Sequence, residues 1–238
     1  MTARRWPMLG VLLTGHLSFV VLCWLVMLAG VAVIITAIAL GPGPDRSIWH
    51  YAATQVPRWF ALGLAVDAIT TYLRLHLAHG RTRRDFLRQL MPYLVVLPVV
   101  MAVLVSLGYL AERATYSLAG WSQNIPDHVL FDSTSDFFGL ASAFSLQLLL
   151  WTVAGALLAA AFTRSTSLGL VSIPVAFGMV ALSELLVGVK SVPFFRDFSA
   201  AWRLDLGLSL SLTLGAAVLG AAFTWVIVRD IPLRPRVT

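Results

Sequence analysis

The chain is 238 residues long, 59% hydrophobic and only 12% charged, with 17 basic and 11 acidic residues. Soluble domains carry roughly 25% charge, so this composition excludes a disordered chain and leaves a soluble fold too much apolar surface to hide. A lone cysteine, Cys23, excludes an internal disulfide and a cysteine-rich metal site.

Each helix that crosses a bilayer needs about 20 mostly apolar residues, and its backbone polar groups must be satisfied within a helix or a closed barrel. The uncharged stretches 6–44, 89–111, 137–163, 165–183 and 206–228 are far longer than barrel strands of about 9–11 alternating residues. They predict an all-α integral membrane protein, a single domain over 1–238. Its six transmembrane helices are expected near 17–40, 58–78, 91–111, 137–162, 168–189 and 206–228.

In chain order, Arg4 and Arg5, an apolar run and Ala37-Ile38-Ala39 imitate a secretory signal. The run is more than twice the ~7–15 residues of a signal's apolar region, so it reads as an uncleaved first span. Residues 6–16, with Pro7 near their start, suit a short interfacial helix lying along the membrane before the span turns inward.

The second span carries Asp67 near its middle. An Asp there costs roughly 2.5–3.5 kcal/mol, and each Leu, Ile, Phe or Val returns roughly 0.3–0.6. Residues 59–78 hold eight of these, so the terms nearly cancel and the helix is expected to insert with help from its neighbours. Asp67, Thr70, Thr71 and Arg74 fall on one helical face. Either this stripe lines a translocation path or subunit seam, or Asp67 bonds neighbouring hydroxyls while Arg74 snorkels to the surface. His76 and His79, at helical spacing, read as boundary polar residues with no third metal ligand near them in the sequence.

The loop that follows is the most informative segment. Gly80 can stop the second helix by adopting a left-handed conformation, and Thr82 can cap a new short one. In that helix Phe86 and Leu87 are expected to project together, ringed by Arg83, Arg84 and Arg88. Such an apolar knob suits docking into a groove on a soluble partner. The alternative is a basic loop that only enforces topology and touches lipid headgroups.

Later spans offer weaker signals. Gly155 with Ala159, and Ala216 with Gly220, have the spacing that lets helix backbones approach, and are read as internal packing rather than an oligomer seam. Glu184, near the end of span five, is read as a near-interface group. Residues 208–214 alternate Leu with Ser or Thr, a strand pattern in water. An open strand in lipid would leave its backbone unpaired, so this segment reads as helix, with Ser209, Ser211 and Thr213 available to neighbouring helices.

With both termini cytoplasmic, eleven Arg fall inside and six basic residues outside, Arg58 and Lys190 among the latter, which satisfies the positive-inside rule. The net charge of +6 then reads as topology and contact with anionic lipid, not nucleic-acid binding. The expected location is the plasma (inner) membrane, as a multi-pass protein. GxxxxGK[ST], HExxH and GxSxG are absent, so no catalytic residues, metal or cofactor are assigned to this chain.

The run Gly80-Arg81-Thr82-Arg83-Arg84-Asp85-Phe86-Leu87, between the second and third spans, resembles the first cytoplasmic loop of bacterial ATP-binding-cassette (ABC) exporter permeases. Many of these carry G-x-[ST]-R-[RK]-x-[FY] there. The six spans, the inward ends and the interfacial segment also resemble that family. So does the aromatic stretch Val192-Pro193-Phe194-Phe195-Arg196-Asp197-Phe198, where such permeases have short re-entrant or surface helices. The resemblance implies that Arg81, Thr82, Arg83, Arg84, Asp85, Phe86, Leu87 and Arg88 form a coupling helix. That helix would seat on a separate ATPase subunit, which binds ATP and Mg. It also implies a second permease chain, identical or related, with the pathway between the two. Few polar groups in the spans suggest a hydrophobic or amphipathic cargo. Two other classes stay open: a secondary carrier using Asp67 and Glu184, and a membrane scaffold or assembly protein that transports nothing.

Overall fold

Capping residues, rather than the nearest charge, set the helix lengths in this chain. Ser47 accepts a hydrogen bond from the amide of His50 at 3.1 Å, Thr82 from Asp85 at 3.2 Å and Asp136 from Gly139 at 2.9 Å. Each satisfies an amide that a helix N-terminus otherwise leaves orphaned. In a computed structural model, which describes residues 7–41, 43–125, 133–187 and 206–231, these caps open three of the long helices. The elements are α1 (Pro7–Ala39), α2 (Ile48–Asp67), a π-helical turn (Ala68–Tyr72), α3 (Leu73–Ala78), α4 (Arg83–Ala119), α5 (Phe137–Arg164), α6 (Thr166–Val187) and α7 (Leu206–Arg229). With α2, the π turn and α3 taken as one continuous segment, six helical segments among the described residues are long and apolar enough to cross a membrane.

Three expectations are corrected. Residues 7–16 are not a separate surface helix but the first turns of α1. Pro7 starts that helix with φ already set. Gln89 Oε1 accepts from the amides of Met8 and Leu9 at 2.7 and 3.1 Å, so the opening turn is satisfied inside the bundle. The second span begins ten residues earlier than predicted, at Ile48, which places Arg58 in mid-helix rather than at the outer end of the span. Nor is there a short helix after Thr82. The cap opens α4, a single helix of 37 residues that passes through Pro92 and Pro98. At about 1.5 Å per residue it is ~55 Å long against a hydrocarbon core of ~30 Å, so it must overhang the apolar layer or tilt within it. The aromatic stretch at 192–198, and residues 188 and 189 of the predicted fifth span, lie outside the described residues.

α5 sits at the centre, packed against α2, α4, α6 and α7, while α1 leans on α2 and α4 from outside. Small residues permit this. A Cβ at Gly155 would stand 2.4 Å from the carbonyl oxygen of Leu62, so α5 and α2 meet backbone to backbone. A Cβ at Gly220 would lie 2.7 Å from both Met179 and Val153, so the second small-residue motif also serves contacts within the chain. The alternating Leu-Ser-Leu segment is helical. Ser211 and Thr213 bond back to the carbonyls of Gly207 and Ser209, four residues earlier, rather than across to neighbours. At the Ser47 end of the bundle, Glu112 of α4 accepts from the Ser47 hydroxyl, the Trp49 amide and Gln123, which fastens the start of α2 to α4.

Candidate functional site

The end of the bundle richest in arginine is built around the α3–α4 connection. Gly80 has φ 72°, the left-handed conformation the turn requires, and its amide donates to the carbonyl of Leu77 at 3.0 Å. Asp85 gathers this turn. Its Oδ2 lies 3.4 Å from His76 Nε2 and 3.7 Å from Arg81 Nη1. Arg83 reaches across to donate to the carbonyl of Arg229, the last residue of α7, at 3.3 Å. Asp230, just beyond α7, is paired with Arg229, whose guanidinium holds its carboxyl below the ordinary carboxylate value. Through Gln89, Asp85 and Arg83, α4 therefore touches α1, α3 and α7 at this end.

The predicted knob is not there. Phe86 and Leu87 are both 0% exposed and belong to the main core, with the Phe86 ring 5.6 Å from that of His76. The physical reason is the length of α4. Once Thr82 caps the helix that becomes the third span, residues 86 and 87 share the face carrying Leu90, Leu94 and Leu97, all buried. What the connection presents outward is charge, with Arg81, Arg84 and Arg88 exposed. Neither histidine at the boundary forms a metal pair. His79 bonds the carbonyl of Leu75, and no three His, Cys, Asp or Glu side chains converge as a metal would need among the described residues.

A second cluster lies deeper. Asp67 Oδ1 accepts from the Thr71 hydroxyl at 2.7 Å, and its Oδ2 lies 3.0 Å from His16 Nε2 of α1. His16 Nδ1 is 2.5 Å from the Tyr93 hydroxyl of α4. The edge of Tyr72 also stands against His16, with ring centroids 5.3 Å apart. A side chain at Gly15 would meet the Tyr72 hydroxyl at 2.8 Å, so glycine there admits the tyrosine. The π turn starts immediately after Asp67, and such turns are frequent at functional sites. Of the predicted four-residue stripe, Asp67 bonds the neighbouring hydroxyl of Thr71, as the second reading of that face expected. Thr70 bonds the carbonyl of Val66 and Arg74 is exposed, while Asp67 and Thr71 stay together. Between α1 and α2 a groove of about 490 Å³ is lined by His16, Phe19, Trp59, Phe60, Gly63, Leu64 and Asp67.

Glu184, read from the sequence as a near-interface group, stands three residues before the end of α6 and is enclosed by the bundle. It is 3% exposed, and its Oε1 accepts from Arg58 Nη1 at 3.1 Å and from Gln147 Nε2 at 3.0 Å. Arg58, 4% exposed, also donates to Gln55 and lies 5.3 Å from the ring of Trp151. This cluster joins α2, α5 and α6. Sequence reasoning missed Arg58, Gln147, His16 and Tyr93 as partners. For Arg58 one signal existed, since Ser47 before Ile48 is a helix start that would have carried the second span across it.

Comparison with protein-family models, with curated proteins and with solved structures gives no match to this chain.

Proposed function

We propose that the chain is the membrane-spanning permease subunit of an ABC transporter, an exporter of a hydrophobic or amphipathic compound. A separate cytoplasmic ATPase binds ATP and Mg and docks on the α3–α4 connection. The single observation that carries this reading is mechanical. Arg81 in the turn before α4, and Arg84 and Arg88 in its first turns, stand exposed, while Phe86 and Leu87 between the last two are buried in the core. A push on the arginines is thereby delivered to a helix of 37 residues instead of being absorbed by a loose loop. The likeness of residues 80–87 to the coupling segment of ABC exporters supports the same reading, and the excess of arginine at this end supports a cytoplasmic position at the plasma (inner) membrane. The buried position of Phe86 changes the expected contact from an apolar plug to a charged one, made by guanidiniums on carboxylates of the ATPase. A second permease chain, identical or related, completes the pathway.

The test is co-purification with a candidate ATPase carrying GxxxxGK[ST]. Arg84→Glu combined with Arg88→Glu is expected to lower ATPase retention at least about tenfold, a loss of roughly 1.4 kcal/mol or more, at unchanged expression and melting temperature. Full retention in the double variant would overturn the docking assignment.

A secondary carrier is the second reading, favoured by the enclosed Arg58–Glu184 pair and by Asp67 bonded to His16. Ionisable groups at membrane depth commonly mark substrate or ion pathways. Transport that persists without ATP and collapses in Asp67→Asn would select it.

A further inference from the structure

The hydrogen bonds around Asp67 run in a chain. His16 bridges α4 and α2, its Nδ1 against the Tyr93 hydroxyl and its Nε2 against Asp67 Oδ2, and the Thr71 hydroxyl donates to Asp67 Oδ1. The carboxylate is held by two side chains, the Thr71 hydroxyl and the His16 ring. Among the described residues neither Arg nor Lys is within ion-pair distance of it. The His16 side chain is 6% exposed, but that of Asp67 is 46% exposed and borders the groove between α1 and α2. At about 1.5 Å per residue, His16 lies ~14 Å along α1 from Pro7, within the helical segment long and apolar enough to cross a membrane.

The walls of the groove narrow the choice of ligand. Phe19 and Phe60 stand 5.6 Å apart, and the Trp59 side chain opens onto the same space, 60% exposed. Aromatic faces attract cations, and most strongly where water is excluded. A carboxylate facing an apolar groove is costly until a cation meets it. An anion would be repelled, and an uncharged ligand would desolvate the carboxylate without bringing a charge to it. The floor is open at Gly63, where an added Cβ meets nothing within 4 Å, and the volume is that of sites for drug-sized ligands, about 300–1,000 Å³.

We propose that the groove between α1 and α2 binds an organic cation with an apolar body, drawn from the lipid phase. Its charge rests on Asp67 and its body lies against Phe19, Trp59 and Phe60. The site does not depend on an ATPase, and failure of the docking experiment would leave it standing.

The test uses the full chain in phosphatidylcholine nanodiscs, with radiolabelled dodecyltrimethylammonium as the probe and empty nanodiscs as the background. Saturable binding of one probe per chain is expected, displaced by unlabelled cation and not by dodecanol or dodecyl sulfate. Asp67→Asn is expected to weaken it at least about tenfold. Gly63→Leu, which fills the floor without touching the polar cluster, is expected to do the same and keeps the test decisive if Asp67→Asn does not fold. Absence of a saturable component, unchanged affinity in a folded Asp67→Asn or in Gly63→Leu, or equal displacement by dodecanol would each overturn the proposal.

Discussion

Glu184 draws two donors from different helices onto one oxygen, so its removal takes a shared partner from both Arg58 and Gln147. Groups in one buried network are not independent, and coupling energies of roughly 0.5–3 kcal/mol are usual. A double-mutant cycle of Arg58→Met and Glu184→Leu, read by thermal unfolding in detergent, is expected to return a coupling in that range. Strict additivity would contradict the pairing. Phe86 gives a sharper contrast with its neighbours. Truncating a fully enclosed phenylalanine costs roughly 3–5 kcal/mol through lost contacts and the cavity left behind. Phe86→Ala should therefore lower the melting temperature by several degrees, while Arg84→Glu, two residues away and exposed, should leave it within about a degree. A projecting Phe86 would give the opposite order, with little change in melting and a loss confined to partner binding.

At the scale of elements, the sequence showed that helices exist but not how long they are. Charge made a poor boundary marker. Arg58 and Asp67 both lie within a continuous helical segment because neighbouring helices supply Glu184 and His16, which no window of one segment can reveal. Caps marked the boundaries better, as Ser47, Thr82 and Asp136 each precede the helix they open. The π turn after Asp67 left no recognisable trace in the residue pattern, and the distant helix packed on it, α5, lies some seventy residues further along the chain. The small-residue spacing was legible, and its use within the chain gives a prediction. Gly155→Val would drive a branched side chain into the backbone of Leu62, where even a Cβ would stand at 2.4 Å. Because backbone cannot swing aside as a side chain can, α2 and α5 must separate, and overpacking typically costs about 1–3 kcal/mol. A clear fall in melting temperature is expected for Gly155→Val. Gly178→Val is the control, because a Cβ there meets nothing within 4 Å, and it should melt near the parent.

For the whole molecule, composition alone carried the class, since 59% hydrophobic residues with 12% charge leave a bundle in lipid as the consistent solution. Sidedness rests on the arginines. The starts of α1 and α4 are joined through Gln89, and Arg83 of α4 meets the end of α7, so these termini occupy one end of the bundle together with Arg81, Arg84 and Arg88. The positive-inside rule favours the cytoplasm for that end, the side on which the proposed ATPase would dock. Cys23, the only cysteine, is removable as Cys23→Ser, which leaves a background for single reporters. Arg84→Cys in that background should resist a membrane-impermeant maleimide in intact spheroplasts and react once they are permeabilised. Asp45→Cys, in the exposed connection between α1 and α2, should react in both. Reaction of position 84 from outside would invert the bundle and overturn the proposed docking of a cytoplasmic ATPase on these arginines. Binding at Asp67 would survive that inversion, because a groove open to lipid between α1 and α2 works from either orientation.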